Sequence, residues 1–127
     1  MRRTLIIALA VLALSVSVCA VGATAVHGAL GQADGLRQQA VQAMRLGDAA
    51  GALRAMQSLH QLWGAQWRKL ELVTSHDALS DVQGSIEDAL VCLEHGEQLE
   101  FLRAVSDMST ALGRIRATES VRLMNLF

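Results

Sequence analysis

The stretch that decides the fold is GDAAGALRAMQSLHQLWGAQWRKLELV, residues 47–73. At 100° per residue, its main apolar side chains fall on one stripe, within about 40° of Trp63. The members of this stripe are Ala52, Met56, Leu59, Trp63, Trp67 and Leu70. Arg54, Gln61 and Arg68 fall on the opposite side. A stripe with this spacing is typical of a helix that packs side by side with other helices.

The residues around this helix predict where it and its neighbours begin and end. Gly47 can end a preceding helix, and Asp48 can cap the N-terminus of the next one. The polar run at 74–77 interrupts the pattern again, and Gly96 ends a later stretch. We therefore predict helices over about 29–46, 49–73, 77–95 and 97–123, the first continuing from the N-terminal segment.

The two later stretches have apolar stripes of their own. The third has Leu79, Val82, Ile86, Leu90 and Leu93, and the fourth has Phe101, Ala104, Met108, Leu112 and Ile115. The chain has no proline, and no segment alternates between apolar and polar residues as a strand would. Short connections imply antiparallel neighbours. The predicted fold is all-α, an N-terminal transmembrane or signal-anchor helix followed by an antiparallel bundle of three to four helices.

The N-terminal segment, residues 1–28, predicts a membrane anchor. Arg2 and Arg3 precede 23 residues, Thr4 to Val26, that carry no charge, and about 20 apolar residues span a bilayer as a helix. The positive charge before the segment predicts an N-terminus inside the cytoplasmic membrane and a helical domain, residues 29–127, outside it. The alternative is secretion after cleavage of a signal peptide at Ala23–Ala25. The apolar run is longer than that of most signal peptides, which favours a single-pass anchor.

Charge and cysteine content exclude several classes of function. From His27 onward there are nine basic and twelve acidic residues, so nothing resembles a nucleic-acid-binding surface. Cys92 is the only cysteine of the predicted exported part, so it can form no disulfide within that part. It either pairs between chains, as in a homo-oligomer, or serves as a small apolar side chain. Cys92 and His95 are spaced to share a metal, but a structural zinc site needs four ligands. We expect no metal and no cofactor.

Four positions attract attention as candidate sites. Trp63 and Trp67 are either core residues of a helical hairpin or a partner-binding or membrane-interface surface. His76, at a helix junction, is either a capping or surface residue, or a catalytic or pH-sensing group that would need an acidic partner. Glu119 falls on the Met108 stripe and is either solvated at a fraying end or paired, for example with His76 or an arginine.

No nucleophile, phosphate-binding or metalloprotease motif occurs, so we expect no catalytic residue and no enzyme.

The C-terminal half resembles the bacterial domain-of-unknown-function family 4363. The resemblance rests on WRKLELVTSHD (67–77), FLRAVSDM (101–108) and IRATESVRLMNLF (115–127). The matching positions are Trp67, His76, Glu119, Asn125 and Phe127. The family tends to follow its histidine with a Glu-Ile-Asp-like run, where this chain has Asp77-Ala78-Leu79, which puts a role for an acidic residue beside His76 in doubt. The resemblance implies a small membrane-anchored helical protein with a membrane-protein neighbour, and it leaves the activity open.

Together these observations predict an extracytoplasmic protein–protein interaction module. Its expected partner is a membrane or envelope protein, its expected contact with the membrane is the N-terminal helix, and no nucleic acid is expected. The candidate partner-binding or structural residues are Trp63, Trp67, His76, Glu119, Asn125 and Phe127. Two alternatives are a sensor-like helical bundle that binds a small molecule or metal, and an enzyme that uses His76 with an acidic partner.

Overall fold

The computed structural model describes the backbone of residues 2–126 and the side chains of residues 2–18 and 26–118. The described residues form four helices: α1 (Arg2–Arg45), α2 (Ala49–Glu71), α3 (His76–Glu94) and α4 (Gln98–Leu126). The predicted all-α class is therefore confirmed. The helix ends lie close to the predicted ones, and the largest difference is at the end of α4, which reaches Leu126 rather than Leu123.

Two turns of the same type join α1 to α2 and α3 to α4. Gly47 and Gly96 adopt positive φ angles of 77° and 69°, which glycine reaches without steric strain. In the first turn the N–H of Asp48 donates to the carbonyl of Ala43 at 2.8 Å, and in the second the N–H of Glu97 donates to Cys92 at 2.9 Å. Both pairs are the wide hydrogen bond of a Schellman motif, which ends a helix at a glycine.

The described helices form an up-and-down bundle. Each contacts its neighbours in the order α1–α2, α2–α3, α3–α4 and α4–α1, whereas within the described residues the diagonal pairs make no close backbone contact. The two glycine turns therefore lie together at one end of the bundle, which we call the distal end. The turn between α2 and α3 lies at the other end, where α1 enters the bundle near Val26, its first buried residue among those described.

The core is built from the predicted stripes. Met56, Leu59, Trp63 and Leu70 of α2 are buried, as are the first three members of the α3 stripe and all five of the α4 stripe. Helix α1 contributes Val26, Ala29, Leu30, Ala33 and Ala40. The alanines on α1 let this helix approach α2 closely, since small side chains hold the axes of packed helices nearer to each other.

The first part of α1 lies outside this core. All described side chains from Arg2 to Val18 are exposed, and many of them are large and apolar, such as Leu5, Ile6 and Leu14. The described part of the chain contains no helical stretch that is both long and apolar enough to span a lipid bilayer. The side chains at 19–25, which belong to the predicted anchor, lie outside the described residues.

Candidate functional site at the turn between α2 and α3

Trp63 is a core residue that ties α2 to α3. Its side chain is 1% exposed. Its indole N–H donates a hydrogen bond to the backbone carbonyl of Leu79, at 3.3 Å. A buried tryptophan needs a partner for this N–H, and the first turns of α3 provide it. Trp63 is therefore unavailable to a partner protein while the bundle is folded.

Trp67 lies one turn further along α2 and is only partly buried. It is the member of the α2 stripe nearest the end of the bundle after Leu70, and its ring is covered on one side by the imidazole of His76. The two ring centroids are 5.6 Å apart and the planes meet at 84°, an edge-to-face arrangement. The predicted tryptophan pair thus divides into one core residue and one surface residue.

Glu71 connects these two rings. The indole N–H of Trp67 donates to Oε1 of Glu71, one helical turn away. The same oxygen lies 3.6 Å from Nδ1 of His76, too far for a hydrogen bond but within ion-pair distance when the imidazole is protonated. Trp67, Glu71 and His76 therefore form one small cluster, which we call the Trp67 site. Its indole contacts both of the other side chains.

Residue spacing on α2 and the capping residues of the turn bring the side chains of the Trp67 site together. The i, i+4 spacing of Trp67 and Glu71 places both side chains on one face of α2. The N–H of Thr74 donates to Leu70, which closes the last turn, and the Ser75 hydroxyl accepts from the N–H of Ala78 to cap α3. Because Ser75 is the cap, α3 begins at His76 rather than at the predicted Asp77, and this brings the imidazole against Trp67.

The surroundings of the Trp67 site are polar and open. The side chains of His76 and Glu71 are 70% and 42% exposed. Arg68 and Lys69 occupy the last turn of α2, and Asp77 occupies the first turn of α3. An exposed ion pair of this kind contributes only about 0–1 kcal/mol to stability. The arrangement presents a partly exposed indole beside titratable and charged groups, where another molecule can contact it.

Glu71 is not among the site residues predicted from the sequence. The acidic residues considered beside His76 are Asp77 and Glu119, whereas the carboxylate that faces the imidazole belongs to the preceding helix. A signal was present: Glu71 is i+4 from Trp67 and lies directly before the turn that leads to His76. The side chains of Glu119 and Asn125, and all of Phe127, lie outside the described residues, so the structure gives these three predicted positions no side-chain environment.

His60 and His95 have hydrogen-bond partners within the bundle. His95 Nδ1 lies 2.8 Å from the carbonyl oxygen of Val91, to which it can only donate. His60 accepts from the side-chain amide of Gln83 at 3.3 Å, which links α2 to α3. Burial, followed by the carboxylates of Glu97, Glu100 and Asp88, raises the pKa of the Cys92 thiol. Among the described side chains, no three histidine, cysteine, aspartate or glutamate residues are grouped to hold a metal ion.

Comparison of the chain with protein-family models, with curated proteins and with solved structures gave no match. The resemblance to family 4363 therefore stays a prediction.

Proposed function

We propose that this chain is a membrane-anchored, extracytoplasmic interaction module that binds a membrane or envelope protein through the Trp67 site. The observation that carries the proposal is the half-exposed Trp67, fixed between Glu71 and His76. Tryptophan is among the residues that contribute most to binding at protein interfaces. A side chain that is already held in one orientation loses little conformational entropy when a partner covers it.

The place of the Trp67 site in the bundle supports a partner close to the membrane. The site lies at the end of the bundle where α1 enters, and the apolar, exposed stretch of α1 precedes that point. We propose that residues 4–26, which carry no charge, hold this end of the bundle at the membrane surface. A partner embedded in the same membrane would then meet Trp67 before it met the distal end.

The binding proposal is tested by photo-crosslinking in cells that express the full chain. A photoreactive residue replaces Trp67 in one variant and Gln61, an exposed residue on the opposite side of α2, in the control. We expect a protein adduct of one defined mass from position 67 and none from position 61. Adducts with the same proteins from both positions, or with lipid alone, would show that the Trp67 site is not a protein interface.

The anchor proposal has its own measurement. Mass spectrometry of the chain purified from membranes distinguishes the intact 13.6 kDa protein from one cleaved after Ala25. We expect the intact mass in the membrane fraction after a carbonate wash, which removes proteins held only at the surface. Recovery of the cleaved chain in the soluble fraction would refute the anchor while leaving the Trp67 site open to a soluble partner.

A further inference from the structure

The distal end of the bundle carries a groove between the two glycine turns. The groove has a volume of about 400 Å³. Its walls include the apolar side chains of Met44 and Leu93 and the thiol of Cys92, and its rim includes Arg45, Glu97 and Gln98. This volume is at the lower end of the range for binding pockets in proteins. It is enough for one or two large apolar side chains, and too little for a whole peptide.

Exposed apolar side chains flank this groove. Leu46 is 78% exposed and directly follows the lining residue Arg45, and Leu99 is 71% exposed and directly follows Gln98. Val91, beside Cys92 in the chain, is also exposed. Neither leucine is needed to form its turn, because the hydrogen bonds of the two Schellman motifs join backbone atoms only. Among the described side chains of residues 26–118, four large apolar ones are exposed: these three near the distal end, and Leu72 at the other end. Apolar side chains concentrated at one end of a small domain are typical of an interaction surface.

The charge near the groove is negative on balance. Arg45 and Glu97, which line the groove, carry opposite charges. From Asp77 to Asp107, however, the chain has eight acidic residues, Glu97 among them, and Arg103 is its only arginine or lysine. Four of the acidic residues, Asp88, Glu94, Glu97 and Glu100, lie on the last turns of α3 and at the start of α4. Burial, followed by three of these carboxylates, raises the pKa of the Cys92 thiol in the wall of the groove.

We infer that the distal groove binds a basic, amphipathic segment of a partner protein, which inserts a large apolar side chain between the Gly47 and Gly96 turns. Lysine or arginine residues flanking that side chain complement Glu97 on the rim and the nearby carboxylates of α3 and α4, and complementarity of this kind selects the partner and speeds its association. This second surface lies at the opposite end of the bundle from the Trp67 site, and it does not depend on the function proposed for that site.

The same charge argues against two other occupants. A second copy of the chain that docked end to end would bring two acidic surfaces together, and like charges in an interface are strongly unfavourable. An anionic lipid surface would repel the carboxylates for the same reason. A basic segment of another protein is the occupant that both the apolar walls and the acidic rim favour.

The test uses the full chain in detergent and a fluorescent synthetic peptide of alternating leucine and lysine pairs designed as an amphipathic helix. Two variants alter the groove or its flanks: Leu46→Ser/Leu99→Ser removes apolar surface beside it, and Glu97→Gln/Glu100→Gln removes charge at its rim and one turn away. The matched control, Asp81→Asn/Asp107→Asn, neutralises two carboxylates that lie further along α3 and α4 from the glycine turn. We expect each groove variant to weaken binding by about tenfold or more, and the control by less than about twofold.

A second readout locates the peptide. In a Cys19→Ala background, bound peptide should slow alkylation of Cys92, which lies in the wall of the groove. Circular dichroism of each variant verifies that the bundle is folded. Equal loss of binding in the control, equal binding of a sequence-scrambled peptide, or unchanged alkylation of Cys92 at saturating peptide would each overturn the inference. Self-association of the full chain that the Leu46→Ser/Leu99→Ser variant abolishes would instead assign the groove to a second copy, and would overturn it too.

Discussion

The indole N–H of Trp63 on α2 donates a hydrogen bond to the backbone carbonyl of Leu79 on α3, and both side chains are buried. This contact joins two helices of different hairpins, because α1 pairs with α2 across one glycine turn and α3 with α4 across the other. Trp63 thus fills the space between the hairpins and also fixes their relative position. Trp67, one turn away, contributes its ring to the surface.

The Trp63→Phe variant should unfold more easily than the unaltered chain. Phenylalanine keeps most of the apolar contact but loses the hydrogen bond to Leu79 and leaves a small cavity. Together these changes cost about 1–3 kcal/mol. Urea unfolding of the full chain in mild detergent, followed by far-ultraviolet circular dichroism, measures the difference. The control is Trp67→Phe, which removes an exposed hydrogen bond and should change the free energy of unfolding by less than about 1 kcal/mol.

The same two variants predict a spectroscopic difference. Trp67→Phe leaves only Trp63, which is buried, so its fluorescence should be blue-shifted and resist quenching by iodide. Trp63→Phe leaves only Trp67, whose fluorescence should be red-shifted and readily quenched because its ring is partly exposed. Similar quenching in both variants, with circular dichroism unchanged, would contradict the division of the pair into a core and a surface residue.

The sequence predicts the helices of this chain well because its signals are local. Glycine at 47 and 96 and the polar run at 74–77 determine where helices end, and the 3–4 spacing of apolar residues determines which faces are buried. The roles of Trp63 and Trp67 cannot be separated this way, since both lie on the same stripe. Their roles differ because the two residues lie at different positions along the bundle. Trp63 lies opposite Leu79, whereas Trp67 lies near the end of the bundle, where it stays partly exposed beside Glu71 and His76.

Local sequence signals also do not predict the pairing of His76 with Glu71, or the groove between the two glycine turns. Each brings together residues from two helices, and their meeting depends on how the turns direct the chain. The i, i+4 spacing of Trp67 and Glu71 is visible in the sequence, but the edge-to-face contact with His76 is not. The groove depends on the two hairpins being side by side, which short connections favour without specifying which residues of the two turns meet.

Replacement of Gly47 or Gly96 by alanine should destabilise the bundle. Both glycines have positive φ angles, and a residue with a Cβ atom loses about 1–2 kcal/mol in that conformation. Crowding does not contribute, because no atom lies within 4 Å of the position that an added Cβ atom would take at either glycine. Thermal unfolding of the two single variants measures the loss. An unchanged or higher melting temperature would show that the left-handed turns do not form.

Gly64→Ala and Gly113→Ala are the matched controls for the turn glycines, and they should have the opposite effect. Both positions are exposed, lie inside helices with negative φ angles, and have open space where the Cβ atom would be placed. Alanine at such a position stabilises a helix by about 0.5–1 kcal/mol relative to glycine. The same substitution should therefore lower stability at 47 and 96 and raise it at 64 and 113. Destabilisation at all four positions would indicate that Gly64 or Gly113 faces a partner helix of another chain.

The rate at which Cys92 is alkylated should depend on the carboxylates at the distal end. Burial, and then Glu97, Glu100 and Asp88, raise the pKa of its thiol above the ordinary value of 9.0, so less thiolate is present at a given pH and alkylation is slower than for an unperturbed cysteine. The Glu97→Gln/Glu100→Gln variant should shift the pH–rate profile for iodoacetamide to lower pH. Added salt should act in the same direction but leave the pKa above its ordinary value, because burial, the largest single cause, is not screened.

The raised pKa of Cys92 also predicts a dependence of stability on pH. A thiol that releases its proton less readily in the folded chain than in the unfolded chain stabilises the fold below the unfolded pKa. That contribution is lost as the pH rises through the folded pKa. In a Cys19→Ala background, the free energy of unfolding should therefore fall more steeply above pH 9.0 with Cys92 present than in the Cys92→Ala variant. Parallel pH profiles for the two chains would show that the thiol titrates alike in both states, and that the carboxylates of the distal end do not act on it.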